Sequence, residues 1–288
     1  MKNHLYIQNR LKSITNRIPY YLFPSNSFSP KTIFIAINSA CNLRCKMCDV
    51  GQKNISSQFY KNMSSSGEEL SIEKLKLLID EVKSFKPIIA VTSTEPLLYK
   101  HLVEFAEYTK KNGLEFHLTT NGYLLPKFAK EIVDSDIDVL SISLDGPPKI
   151  HNEIRGKKDS FEKAYEGINL LQELKKDTNK LYPRINLNYC ISDYNYYSLV
   201  DFMESIKGLE INNIVFSHLN FVTIGMAKAH NKRYNNLCPA TPTSISALDL
   251  SKIDIEILWN QINELKSKYN NITFTPELNK EELDIFYN

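Results

Sequence analysis

The chain has 288 residues, 42% of them hydrophobic and 24% charged, with a formal net charge of +2 at pH 7. That length and composition suit one large α/β domain with an appendage, or two small domains, with enough apolar residues for a sizeable core. The near-neutral balance, with Lys and Glu interspersed, argues against a nucleic-acid partner or a charged membrane surface, and no apolar run reaches the roughly 20 residues of a membrane span.

From the N-terminus, residues 1–30 form a basic segment with Leu5, Ile7, Leu11, Ile14 and Ile18 roughly on one helical face. A helical segment packed on the outside of the domain is expected there, a membrane-surface helix being the alternative. The segment lacks the continuous apolar stretch of a signal peptide, so a cytoplasmic location is expected. Short apolar, β-branched runs follow at 33–38, 88–92, 116–120, 139–143, 185–190 and 214–219. These read as buried parallel strands. Between them, residues 71–85, 101–113, 125–135, 160–176 and 196–208 have helical periodicity, with Ser71 at one start and Gly113 at one end. Strand–helix alternation repeated about six times predicts an α/β fold with a parallel sheet and right-handed crossovers. Six units are too few for a closed eight-stranded barrel, so a partial (β/α)6 TIM-like barrel is expected, working at its strand C-termini. After about residue 220 the pattern loosens into a polar connecting segment. An amphipathic helix over 250–270, a short strand or turn at ITFTPEL and an acidic tail then form a short C-terminal helical extension.

Five cysteines occur, and Cys41, Cys45 and Cys48 lie within one run, Asn38-Ser-Ala-Cys41-Asn-Leu-Arg-Cys45-Lys-Met-Cys48-Asp-Val-Gly51, just past the first strand. An odd count with one tight cluster does not look like a disulfide framework. Three soft thiolates in one loop can converge on a metal centre. A 4Fe–4S cube held by three of them keeps one iron open. A zinc site completed by Asp49 or a remote cysteine, or three structural cysteines, are the alternatives. Three more motifs sit at the ends of the next strands: Thr92-Ser-Thr-Glu-Pro-Leu-Leu98, Thr119-Thr-Asn-Gly122, and Ser141-Ile-Ser-Leu-Asp-Gly-Pro147 with His151 and Arg155-Gly156 beyond it. Cys190, at the end of the fifth run, reads as a small buried hydrophobe. His218 and Asn220, at the end of the sixth, are expected on the substrate side, with a hydrogen-bonded histidine as the ordinary reading.

Four motifs in this order, at four successive strand ends, resemble the radical S-adenosylmethionine (SAM) superfamily over residues 31–222, and CNLRCKMCDVG resembles the versions in members with a SPASM-type C-terminal extension. The resemblance implies one 4Fe–4S cluster on Cys41, Cys45 and Cys48, with SAM chelating the open iron. It implies an oxidoreductase- or transferase-type enzyme: the reduced cluster cleaves SAM to methionine and a 5′-deoxyadenosyl radical, which abstracts hydrogen from substrate. It also implies an electron donor such as flavodoxin or ferredoxin, oxygen sensitivity, and a peptide, metabolite or lipid-like substrate.

By position, Met47 would lie near the adenine, Glu95 would hold the SAM amine, Ser143 would contact the ribose or amino-acid part, and Arg155 would pair with the carboxylate, with Asp145 in the same segment. Ser93 and Thr94 stand where the family usually has Gly-Gly. Such side chains resist positive φ, so this loop is expected either to use ordinary dihedrals or to bind SAM less tightly. Residues 223–288 would correspond to a truncated SPASM-type region without an auxiliary cluster, because past the core only Cys238 is present. A degenerate relative that binds a cluster or partner without catalysis, and a zinc-stabilised binding protein, are the competing readings.

Overall fold

A computed structural model of the chain describes residues 29–64, 69–243 and 249–287. The helical segment expected over 1–30 therefore falls outside the described residues, except for its last two positions. The strands are β1 (Thr32–Ile35), β2 (Ile88–Val91), β3 (Phe116–Thr120), β4 (Val139–Ser143), β5 (Arg184–Ile191), β6 (Asn213–His218) and β7 (Ile272–Thr275). They form one sheet in chain order, β1 to β7, and every neighbouring pair is parallel. The helices are α1 (Gln58–Ser64), α2 (Ile72–Val82), α3 (Leu102–Lys111), α4 (Leu125–Asp134), α5 (Pro148–Arg155), α6 (Ser160–Asp177), α7 (Leu199–Ser205), α8 (Ile224–Tyr234), α9 (Ile255–Lys268) and α10 (Lys280–Tyr287). Parallel strands in sequential order, joined by helices and open between β1 and β7, make a half-barrel.

Alternation along the strands divides the two faces of this sheet. On one face Leu118, Leu140, Ile142, Leu187, Tyr189, Ile214 and Phe216 are fully buried. The rings of Tyr189 and Phe216 meet Phe202 of α7, and Phe274 of β7 stacks on Phe216 with centroids 5.1 Å apart, so this is the helix-covered, convex face. Each such side chain contributes about 1.5–3 kcal/mol by leaving water. The other face carries Thr119, Ser141, Ser143, Asn186, Asn188, Cys190 and Ser217, all half-buried. Gly167 of α6 allows that helix to lie against α4, since a Cβ there would collide with Leu125.

Helix starts follow local chemistry. The Ser71 hydroxyl accepts from the Lys74 N–H at 3.4 Å, Thr223 from Met226 at 3.1 Å and the Asp254 carboxylate from Ile257 at 3.1 Å. Gly113, at φ 74°, closes the turn after α3.

The structure departs from the sequence expectation mainly past residue 220. The connecting segment contains α8, started by the Thr223 cap but burying only Ala227, which explains its weak amphipathic signal. ITFT is a full strand pairing with β6 through Ile214↔Ile272 and Phe216↔Phe274, which brings the strands among the described residues to seven, and the acidic tail contains α10. His218 shares the convex face of Phe216 rather than the expected substrate side. It is 2% exposed, with Nδ1 2.7 Å from the Tyr287 hydroxyl, and burial pushes its pKa down to about 4.

Candidate active site at the strand C-termini

The three-cysteine loop leaves β1 through buried Ile37 and Asn38, and is anchored by fully buried Leu43. Its backbone runs beside the end of α5: the Arg44 N–H donates to the Arg155 carbonyl at 3.2 Å and the Lys46 N–H to the Ile154 carbonyl at 2.8 Å. Two glycines make the approach possible. A Cβ on Gly156, which has φ 68°, would come within 2.8 Å of the Arg44 carbonyl oxygen, and one on Gly51 within 2.7 Å of the Cys45 nitrogen. Asp49, a zinc-ligand candidate in the sequence, instead folds the following turn, its carboxylate accepting from the Ser57 hydroxyl at 2.6 Å and the Asn54 amide at 3.1 Å.

Cys45 is buried; Cys41, Cys48 and the intervening Met47 are half-buried. Burial raises the Cys41 thiol, and it pushes Cys45 up to about 11 against the opposing pull of the Arg155 guanidinium. Metal binding here must therefore displace protons. Polar groups border the thiols. Arg155 Nη1 donates to Cys45 Sγ at 3.7 Å and Asn121 Nδ2 to Cys41 Sγ at 4.0 Å. Asn42 Nδ2 and Arg155 Nε are buried without a hydrogen-bond partner among the described residues. N–H groups without partners beside thiolates fit an iron–sulfur cluster, whose sulfurs accept such bonds. A single ion needs its sulfurs about 2.3 Å from one point. Among the described residues no three Cys, His, Asp or Glu side chains converge in that way.

The loop after β2 carries Ser93, Thr94 and Glu95. Ser93 has φ 101°, so the glycine-type backbone is kept although the glycine is absent. The Thr94 hydroxyl lies 2.8 Å from the Asn38 carbonyl and 2.5 Å from Asn38 Oδ1, while Asn38 Nδ2 donates to the Glu95 carbonyl at 3.0 Å. Thr94 thus ties the β2 loop to the entry of the cysteine loop. Glu95 is fully buried, and its carboxylate accepts from Leu97 N at 3.0 Å, Thr120 Oγ1 at 2.7 Å and Asn121 N at 2.8 Å. Burial still raises its pKa against these three donors. A carboxylate has about four acceptor sites, so roughly one remains open.

After β4, Ser143 is half-buried and forms no side-chain hydrogen bond among the described residues. Asp145 is fully buried, pairs with Arg155 at 2.6 Å, and accepts from the Cys190 N–H at 3.0 Å. The structure thus brings Arg155 to the thiols and commits its guanidinium to Asp145 and Cys45. Burial pushes the Cys190 thiol up to about 12. Asn38, Asn121 and Asn195 were not singled out in the sequence. The first two lie inside quoted motifs, and Asn195, which donates to the Asp145 carbonyl at 2.9 Å and the Cys190 carbonyl at 2.8 Å, has no local signal.

The strain at Ser93 and the tether at Thr94 predict opposite outcomes for the two missing glycines. Ser93→Gly is expected to raise stability by about 1 kcal/mol, relieving a conformation that costs a non-glycine residue about 1–3 kcal/mol. Thr94→Gly is expected to lower it by about 1–2 kcal/mol. Urea denaturation of the metal-free chain measures both. A destabilised Ser93→Gly would show that the serine side chain, not the backbone, sustains the loop.

Comparison with known proteins places this geometry. The sequence signature of the Radical SAM superfamily matches residues 35–189, more than half of the chain. Fe-coproporphyrin III synthase of Methanosarcina barkeri is 27% identical over 213 residues, covering 73% of this chain and 49% of that protein. GTP 3′,8-cyclase of Campylobacter fetus is 29% identical over 241 residues, covering 75% and 68%. Among solved structures, Streptococcus suis SuiB bound to its precursor peptide SuiA superimposes with a TM-score of 0.59 at 11% identity, over 96% of this chain and 58% of that one. Native anSMEcpe with bound AdoMet gives 0.58 at 18% identity, over 84% and 63%. The chain spans about half the length of the first curated relatives it matches.

Proposed function

The chain belongs to the radical SAM superfamily, and we propose that Cys41, Cys45 and Cys48 hold one 4Fe–4S cluster beside which SAM binds. When bound, these two groups supply reductive cleavage of the sulfonium bond and a 5′-deoxyadenosyl radical for hydrogen abstraction from substrate. The observation that carries the reading is the set of N–H groups without partners, Asn42 Nδ2 and Arg155 Nε, at the rim of three buried or half-buried thiols.

The chain's own residues divide the remaining work. Glu95 offers its fourth acceptor site to the SAM ammonium, a charge-assisted hydrogen bond. Ser93 turns its backbone toward the same group, and Thr94 holds that turn against Asn38. Ser143 presents its free hydroxyl to the ribose or amino-acid part, and Met47 packs against the adenine. Arg155, its charge balanced by Asp145, steadies Cys45 and faces the SAM carboxylate with Nε. Residues 31–222 carry this machinery, and in the segment beyond them Ile272–Thr275 adds the seventh strand to the sheet. Arg44, Lys53, Lys149 and Lys158 form no ion pair among the described residues and ring the cysteine loop and the α5–α6 turn. An acidic electron donor such as flavodoxin or ferredoxin would approach there. Among the described residues no helix is long and apolar enough to cross a membrane.

The test is SAM cleavage. Anaerobically reconstituted protein with dithionite is expected to release methionine and 5′-deoxyadenosine in equal amounts, read by chromatography. A fully loaded cluster that leaves SAM intact would sink the catalytic reading and favour a relative that has lost the chemistry.

A further inference from the structure

Two segments at the cysteine end of the sheet differ in charge from the rest of the chain. Residues 36–64 run from the end of β1 through α1, and residues 219–243 run from the end of β6 through α8. Together they hold seven Lys and Arg and a single acidic residue, Asp49. Asp49 is buried and bonded to Ser57 and Asn54. Elsewhere the chain carries 28 basic against 32 acidic residues, so its near-neutral total averages two unlike parts. Within the two segments, Arg44 and Lys53 border the cysteine loop and Lys46 pairs with Glu153. The other four cations, Lys61, Lys228, Lys232 and Arg233, are exposed and form no ion pair among the described residues.

Hydrogen bonds join the segments into one surface. Val222 and Thr243 meet at the base of the α8 excursion, the Val222 N–H donating to Thr243 Oγ1 at 3.2 Å and the Thr243 N–H to the Val222 carbonyl at 3.1 Å. Asn231 of α8 holds the returning chain at Ala240, accepting from its N–H at 2.7 Å and donating to its carbonyl at 2.8 Å. One residue on, Thr241 Oγ1 accepts from the N–H of Gln58, the first residue of α1, at 2.7 Å. On α8 only Ala227 is buried. At about 100° per residue, Lys228, Lys232 and Arg233 all lie some 100° or more around the helix from it, on the side turned to solvent. Ile224 and Met226 are exposed in the first turn of α8, Tyr234 and Leu237 at its end, and Ile55 and Phe59 at the start of α1, with Leu237 at 86%, Ile55 at 78% and Ile224 at 63%. Exposed apolar residues scattered singly are ordinary. Here six accompany four unpaired cations on segments that expose no carboxylate.

We propose that α8 and α1 form a docking face for an anionic lipid bilayer, with the four cations at the headgroups and the apolar side chains inserted between them. An 11-residue helix that buries one alanine gains little from the domain it leaves. A lipid surface supplies the missing apolar burial and the countercharge together. Nucleic acid would answer the cations but not the aliphatic Ile55, Ile224, Met226 and Leu237, since bases are received by aromatic stacking. Both segments leave the strand C-termini, so docking turns the cysteine end of the half-barrel toward the membrane. The proposal stands on charge and exposure alone and does not depend on the cofactor reading.

The test is co-sedimentation of the reconstituted chain, at about 0.15 M salt, with vesicles of phosphatidylcholine alone or with roughly 30% phosphatidylglycerol. Binding is expected to the anionic vesicles only. Lys228→Gln with Lys232→Gln and Arg233→Gln is expected to weaken it at least about tenfold, each charge near such a surface being worth roughly fivefold. Lys100→Gln with Lys111→Gln and Lys127→Gln makes the same charge change on exposed lysines elsewhere and is expected to leave binding within about twofold. Ile224→Ser with Leu237→Ser is expected to weaken binding by a factor that persists as salt is raised, because apolar insertion is not screened. All these side chains are exposed, so iron content and thermal midpoint should not change. Cys238, exposed beside Leu237, reports contact without any substitution: an environment-sensitive fluorophore attached there after reconstitution is expected to shift to the blue with anionic vesicles. The labelled native chain keeps the test intact even where a variant fails to fold. No sedimentation with anionic vesicles, equal losses in the two triple variants, an unshifted fluorophore, or displacement from vesicles by a single-stranded oligonucleotide that binds more tightly would each overturn the proposal.

Discussion

Alanine at Cys41, Cys45 or Cys48 is expected to reduce anaerobic iron loading from about four atoms per chain, as one cube requires, to near zero. Alanine at Cys190 or Cys238 is expected to leave it unchanged. The contrast follows from position. The three ligand cysteines share a loop pinned by Leu43 on the inside and by the backbone of Ile154 and Arg155 on the outside. Loss of one thiolate leaves two, which cannot hold the cluster against exchange. Cys238 is exposed in the segment after α8, and Cys190 lies on β5 with its thiol held neutral at about 12. Iron and acid-labile sulfide assays, with the visible absorption of the cluster, read the outcome. One zinc per chain without sulfide, or loss of iron in the Cys238 variant, would contradict the assignment.

The second large effect is expected at the buried ion pair. Asp145 is 0% exposed, and the Arg155 side chain is 11% exposed at 2.6 Å from it. Asp145→Ala removes the countercharge and one acceptor for the Cys190 N–H, leaving a guanidinium in a nearly water-free site. Removing one partner of such a pair typically costs about 3–5 kcal/mol. Replacing both, Asp145→Leu with Arg155→Met, is expected to recover most of that stability, because the uncompensated charge goes with the arginine. Urea denaturation of the metal-free chain separates the cases. If Asp145→Ala alone cost under about 1 kcal/mol, the pair would have to be well solvated and its positioning role would fall. The double variant should fold and still fail to steady Cys45, so its iron loading should lag behind its stability.

Much of this architecture is legible in the chain because parallel strands covered by helices on one face need short runs rich in apolar, β-branched residues, and six such runs are present. β7 is less plain, and ITFTPEL reads as either a strand or a turn, because ITFT buries only Phe274 deeply and a four-residue strand carries little pattern of its own. The cysteine spacing was equally plain, as thiols are rare and their clustering is informative. Partnerships were harder to read. Glu95 carried an assignment to SAM, yet most of its carboxylate is occupied by Thr120 and by the backbone of Leu97 and Asn121, contacts that depend on how two strand ends meet. Arg155 carried an assignment to a carboxylate, and Asp145 meets it first. Serine's own preference argues against positive φ at Ser93, whereas the neighbouring Thr94–Asn38 and Glu95 bonds over-determine the backbone and hold it at φ 101°.

The sequential order of the strands also governs how the molecule is made. Each strand from β2 to β7 pairs with the one synthesised just before it. A chain leaving the ribosome can therefore extend its sheet one strand at a time, always at the newest edge, without waiting for a distant partner. Apart from the outer edge of β1, only that growing edge is open to pairing at any moment, and the edge of β6 is covered when Ile272–Thr275 emerges. The sole tryptophan, Trp259, sits on α9 just ahead of that strand and packs against the core. Its fluorescence during synthesis would report the closing step and nothing earlier.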